Sequence, residues 1–159
     1  MGNIIRQAGA IPFKYEAGDL RVLLITSRGA GKWVIPKGWI EDGASAAQAA
    51  AREAFEEAGI TGLIDSTPLG SFMYSKRLGS GVKKQATVEV YALRVEKQRK
   101  NWPERSERRF KWLDVPSALR LLEYPGMTTL FQTLIEIHGN VQDYTAPLPD
   151  YDRAANARA

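Results

Sequence analysis

Three glutamates, Glu53, Glu56 and Glu57, stand at positions i, i+3 and i+4 of a segment dense in helix-forming residues. On a helix that spacing turns all three carboxylates to one face. Like charges crowded in this way repel one another and hold their protons more tightly unless positive charge sits among them. Arg52 reaches Glu56 across one turn and neutralises one of the three. A divalent cation would satisfy the rest, and an all-carboxylate set without His or Cys suits Mg²⁺ or Mn²⁺. Taken alone, a Glu-Glu pair on a helix is equally compatible with a solvated face. The opposite face carries Ala47, Ala50, Ala51, Ala54 and Ala58, small enough to let helix and sheet pack closely and hold the carboxylates rigidly.

The composition narrows the chemistry further. There is no Cys among the 159 residues, which removes a disulfide framework, a thiolate zinc site and a cysteine nucleophile together. A single histidine, His138, argues against a Ser-His-Asp triad or a multi-histidine metal centre, and its place near a helix end predicts a capping or surface role. No apolar run has membrane-spanning length, so the chain reads as soluble and cytoplasmic, with no membrane partner. The net charge of +4 is divided unevenly: between Tyr74 and Lys111 twelve Lys/Arg face four Glu, and the remainder of the chain is net acidic. Such a field favours a small anionic ligand near the basic segment.

Elements must position these groups. Ile4–Tyr15 and Leu20–Thr26 read as strands, joined through Glu16-Ala17-Gly18-Asp19 as a hairpin. A short strand at Trp33–Ile35 leads to Pro36-Lys37-Gly38. Ser45 with Gln48 forms a capping box, Ala46–Ala58 is the helix, and Gly59 is its stop. Leu69–Ser75, Thr87–Val95 and Phe110–Leu113 are further strands; Asp114 or Ser117 caps a helix toward Glu123, and Pro125–His138 is another helix. Mixed strands with interspersed helices predict an α/β (α+β) fold with helices on the sheet faces. The expected organisation is one domain over residues 1–139 and an extended or disordered tail over 140–159.

Gly38, Arg52-Glu53, Glu56-Glu57 and Gly59-Ile60 together resemble the Nudix box, G-x5-E-x7-R-E-U-x-E-E-x-G-U, at its spacings. Ala8–Ile11, the WVIPKG run and Phe110-Lys111-Trp112-Leu113 are similar to the flanks of that family, so the resemblance covers about residues 4–138. It implies an α/β/α sandwich and metal-dependent hydrolysis of a phosphoanhydride, with Gly38 and Gly59 as structural positions of the box. Two positions depart from the pattern. Ala44 occupies the place of the first box glutamate, for which Glu41 could substitute, and Trp39 replaces the second glycine of a Gly-Gly pair. IPKGWIEDG, Lys83-Lys84 and ERRFKWLDVPSALRLLEYP resemble the diphosphoinositol polyphosphate and diadenosine polyphosphate hydrolase branch, which implies a polyphosphorylated substrate.

The resemblance gives the residues roles. Glu53, Glu56 and Glu57 would hold metal, Arg52 would orient them, and Glu107 is a candidate for a further carboxylate from a distant loop. Arg28, Lys32, Lys37, Lys83 and Lys84 are candidates for substrate phosphates, and Trp39 for ligand contact, whereas Trp33 between apolar neighbours reads as core. Two rival readings stay open: a non-catalytic ligand sensor, suggested by Ala44, and action on RNA 5′ ends, suggested by EKQRKNWPERSERR. The absence of an aromatic-basic stacking platform argues against nucleic acid.

Overall fold

The computed structural model describes residues 4–140 and 151–153. The chain begins with β1 (Ile5–Glu16) and β2 (Asp19–Thr26), followed by the short strands β3 (Trp33–Val34) and β4 (Lys37–Trp39). After helix α1 (Ala46–Ala58) come β5 (Ile60–Asp65), β6 (Gly70–Arg77) and the long β7 (Lys83–Gln98). A single 3₁₀ turn at Arg105–Glu107 precedes β8 (Phe110–Leu113), α2 (Val115–Leu121) and α3 (Met127–His138), and β9 (Tyr151–Arg153) pairs with β5. Within the expected tail, Asn140 and β9 are described; its other residues lie outside the described ones.

Among the described residues the strands form one mixed sheet centred on β1 and β7. These two run parallel from the pair Ile5–Ala86 to Phe13–Arg94. All other pairings are antiparallel. The β1–β2 connection is the expected two-residue hairpin: Ala17 and Gly18 both take positive φ (52° and 84°), which suits a primed turn between right-twisted strands.

Strand alternation gives the sheet two apolar faces. Ile11, Phe13, Val22, Leu24, Val88 and Val90 pack with α2 and α3; Ala8, Ala10, Leu23, Ile25, Tyr91 and Leu93 pack with α1. The expected sandwich is therefore present. On the α1 side the alanines are fully or nearly fully buried, so the helix backbone lies close to the sheet. No helix among the described residues is long and apolar enough to cross a membrane.

Three strands were not legible from the sequence: β4, three residues long and defined by pairing with Gln7–Gly9, β5, buried on both faces without alternation, and β9, which falls within the expected tail. His138 requires a correction. It is buried, not a surface residue, with its ring 4.5 Å from that of Phe13 and its Nε2 2.8 Å from Asp65 Oδ2. The last turn of α3 lies against the sheet, which brings His138 to β5. Trp33 is half-buried rather than core: Arg109 and Lys111 lie 5.5 Å and 5.1 Å from its ring.

Candidate active site

Helix α1 is fixed at both ends. The Ser45 hydroxyl accepts from the Gln48 amide, the Gln48 side chain accepts from the Ser45 amide, and Gly59 closes the helix in the left-handed region at φ 71°. A cap of this kind contributes about 1 kcal/mol. Strand β4 runs along β1 and brings Gly38 against the helix so closely that a Cβ there would meet the Glu53 carboxylate at 2.3 Å. A side chain at Gly38 would therefore displace the Glu53 carboxylate. Gly59 is likewise covered, by the Trp102 indole, 2.4 Å from where its Cβ would stand.

The three glutamates do not share one environment. Glu57 is buried and Glu53 nearly so, and each carboxyl group influences the ionisation of the other. Burial is the largest influence on both and raises both pKa values; that of Glu57 is pushed up to about 8, against the opposing pull of Arg108 and Lys37. Glu56 is instead 38% exposed and faces Arg52 at 3.9 Å, near enough for its charge to raise Glu53 further.

Arg52 ties the loop to the helix. Its guanidinium donates to the Trp39 carbonyl at 3.0 Å and to Glu53 at 3.3 Å, and it pairs with Glu41 at 3.3 Å. Glu41 thus reaches the box from the loop that contains Ala44. The expected Arg52–Glu56 pair is the longest of these contacts.

Glu41, Arg52, Glu53 and Glu57, but not Glu56, border a cavity of about 410 Å³, lined also by Arg28, Lys37, Trp39, Tyr74, Lys76 and Arg108. The Lys37 amide donates to Glu57 at 3.3 Å, and burial lowers the pKa of the Lys37 ammonium to about 8 although Glu57 opposes the shift. Trp39 is half exposed at the rim. A second cavity of about 470 Å³ shares Arg28, Lys37, Tyr74 and Lys76 with the first and adds Lys32, Arg77 and Tyr124. Lys32 therefore lies in the outer chamber. Lys83 and Lys84 are exposed at the start of β7 and line neither cavity, although Lys84 pairs across the sheet with Lys76, which lines both.

The distant loop contributes residues the sequence did not single out. Glu107 turns to Arg28 at 3.1 Å and does not line the inner cavity; Glu104 does, three residues earlier. The Glu104 amide donates to the Glu56 carbonyl at 3.0 Å, docking the loop on α1. Its carboxylate receives Arg108 at 2.8 Å, and Arg108 in turn stands 3.4 Å from Glu57 and donates to the Thr26 carbonyl at 3.2 Å. The i, i+4 spacing of Glu104 and Arg108 was visible, but not the docking that aims them at Glu57. Arg28 is held by Glu107 and Glu104, which raise its pKa further, Glu107 most.

The site suits a divalent cation. Its donors are oxygens, and burial raises the pKa of both Glu53 and Glu57 although Arg52 and Arg108 oppose the shifts, so nearby protein charge does not fully compensate the two carboxyls. Among the described residues no three Asp, Glu, His or Cys side chains stand together as a complete ligand set, since Glu56 faces Arg52. Glu53 and Glu57 are thus the pair the fold itself brings together.

A profile of the NUDIX domain matches residues 5–134. The chain belongs to the Nudix hydrolase family. Among similar Nudix proteins is Nudix hydrolase 12, mitochondrial, of Arabidopsis thaliana, 31% identical over 153 residues, covering 82% of this chain and 72% of the relative. The Bos taurus diphosphoinositol polyphosphate phosphohydrolase 3-beta is 30% identical over 120 residues, covering 74% and 69%. Across the plant Nudix relatives the chain spans 61% to 73% of their own lengths. The Nudix fold is shared with a crystal structure of a C. elegans Ap4A hydrolase, with a TM-score of 0.61, 21% identity and coverage of 85% and 98%. It is shared too with the NUDIX domain of Shewanella oneidensis NrtR complexed with ADP ribose, with a TM-score of 0.64, 20% identity and coverage of 86% and 90%.

Proposed function

We propose that this Nudix protein is a divalent-metal-dependent pyrophosphohydrolase that cleaves a phosphoanhydride bond in a small polyphosphorylated substrate by attack of water. The observation that carries the reading is the buried Glu53–Glu57 carboxyl pair at a cavity walled by Arg28, Lys37, Lys76 and Arg108. Acidic and basic groups then have separate work: the carboxylates hold Mg²⁺ or Mn²⁺, and the cations hold phosphate oxygens. A bound divalent ion supplies neutralisation of phosphate charge and a more acidic water.

The chain's own residues do the rest. Lys37 and Lys76 attract the polyphosphate and stabilise charge that grows on the leaving phosphate. Arg108 favours the ionised form of Glu57, and Arg52 keeps Glu53 in place through the Trp39 carbonyl. The outer chamber extends the cationic wall and sets the ring of Tyr124 beside that of Tyr74, with centroids 5.4 Å apart and Lys37 Nζ 5.7 Å and 4.9 Å away. Aromatic surface next to phosphate-binding cations supports a nucleoside-bearing polyphosphate, such as a diadenosine polyphosphate, over a diphosphoinositol polyphosphate.

Phosphate release from diadenosine polyphosphates, nucleotide sugars, dinucleotides and inositol pyrophosphates, each with Mg²⁺, Mn²⁺ or chelator, tests the reading. Turnover of a diadenosine polyphosphate that stops with chelator is expected. Tight binding without turnover of any substrate would make the chain a sensor.

A further inference from the structure

The basic segment that first suggested an anionic ligand is not all spent on the catalytic cavity. Around the loop that carries Glu104, a separate cleft of about 460 Å³ lies between the end of β7, the residues after it and Phe110 of β8. It shares no lining residue with the catalytic cavity. Arg99, Lys100 and Arg105 line it, and among the described residues no carboxylate does. Its apolar surface is aromatic: the rings of Trp102 and Phe110 meet edge-on with centroids 5.9 Å apart, and Phe110 is 42% exposed. The Arg105 guanidinium lies 5.6 Å from the Trp102 ring and is steadied by a 2.9 Å hydrogen bond to Asn101. Among the described residues the buried Trp102 indole N–H has no hydrogen-bond partner, in a wall otherwise well packed on Gly59.

We propose that this cleft is a second binding site, for a free mononucleotide, whose base packs on Phe110 and Trp102 and whose phosphate is held by Lys100 and Arg105. Two exposed cations in a wall that no carboxylate lines among the described residues select an anion, and the exposed aromatic edge selects one that carries a flat apolar group. The cleft has the size of a small-ligand cavity. Its cations gather at one place rather than along a track, unlike a groove that follows a nucleic-acid backbone. The ordinary alternative is a solvated basic surface, which would bind anions weakly and without regard to the base.

Titration of the ¹⁵N-labelled full chain with AMP, without divalent cation so that nothing turns over, separates the two. The chain has four tryptophans, and their indole N–H signals are assigned by single Trp→Phe substitutions. The Trp102 signal should move saturably, independently of any movement at Trp39 on the catalytic rim. Inorganic phosphate and adenosine should each bind more weakly than AMP. Replacing the exposed pair Lys100→Ala and Arg105→Ala should weaken AMP binding at this signal by about tenfold, while an unchanged circular dichroism spectrum and melting temperature report an intact fold. A shift confined to Trp39, phosphate binding equal to AMP, or unchanged affinity in the double variant would overturn the site. A short oligoadenylate that binds much more tightly than AMP would overturn the choice of a free nucleotide. Because the readout is binding without metal, failure of the pyrophosphohydrolase reading leaves this result standing, and the converse holds.

Discussion

Glu57 is asked to be two things: buried like a core residue and charged like a ligand. Burial raises its pKa to about 8, so in the metal-free protein it holds its proton through neutral pH. Glu57→Gln keeps the shape and removes the charge. Turnover should fall by about 100-fold or more, while thermal unfolding of the metal-free variant moves to equal or higher temperature; near-normal turnover would remove Glu57 from the chemistry. The same residue sets a pH dependence. A carboxyl whose folded pKa lies above its unfolded value binds more protons in the fold, so stability is greatest below the unfolded value and falls as pH rises toward 8. Lys37 acts with opposite sign: its pKa falls from 10.5 to about 8, so stability returns between those two values. Metal-free protein should therefore show a minimum of melting temperature near pH 8. In Glu57→Gln the falling limb between pH 5 and 8 should flatten, as scanning calorimetry across that range would show.

At the scale of elements, the decisive contact is the passage of β4 beneath α1. Gly38→Ala places a methyl where Glu53 has its carboxylate, 2.3 Å from the side-chain carbon. The strand is short and at the sheet's edge of the site, so it can yield; the expected result is a folded protein, by circular dichroism, with turnover reduced by roughly tenfold or more. Unchanged turnover would mean that Glu53 does not need its present position. The helix itself was fully legible in the sequence, because its cap, its stop and its buried alanines are all local signals. So was the hairpin at Ala17-Gly18. The partner elements were not. Three-residue β4 exists only because β1 offers it hydrogen bonds, and β5 is buried on both faces and therefore lacks alternation. Glu104 and Arg108 become site residues only when the loop docks on the Glu56 carbonyl, and Glu56 turns to Arg52 although its spacing on the helix suggested convergence. Local pattern reveals which face a residue occupies, but not which neighbours arrive from elsewhere in the chain.

The whole molecule carries its positive charge in one region, and the long strand β7 begins there. Lys83 and Lys84 line neither cavity, so their contribution is expected through the field and not through contact. Neutralising both should slow capture and raise KM more for a long polyphosphate than for a dinucleotide, and should flatten the dependence of kcat/KM on ionic strength. Equal effects on both substrates would leave these lysines as solvated surface. The parallel pairing of β1 with β7, which joins Ile5 to Ala86, has a consequence in time. The first strand of the chain cannot gain its central neighbour until most of the domain has been made, whereas the β1–β2 hairpin closes at once. Closing so long a loop before its contacts form is slow. In refolding followed by pulsed hydrogen exchange, amides of the hairpin at Phe13–Val22 should gain protection before those along the β1–β7 seam. The buried carboxyls of the site, which need β4, α1 and the docked loop together, should be among the last groups to leave water.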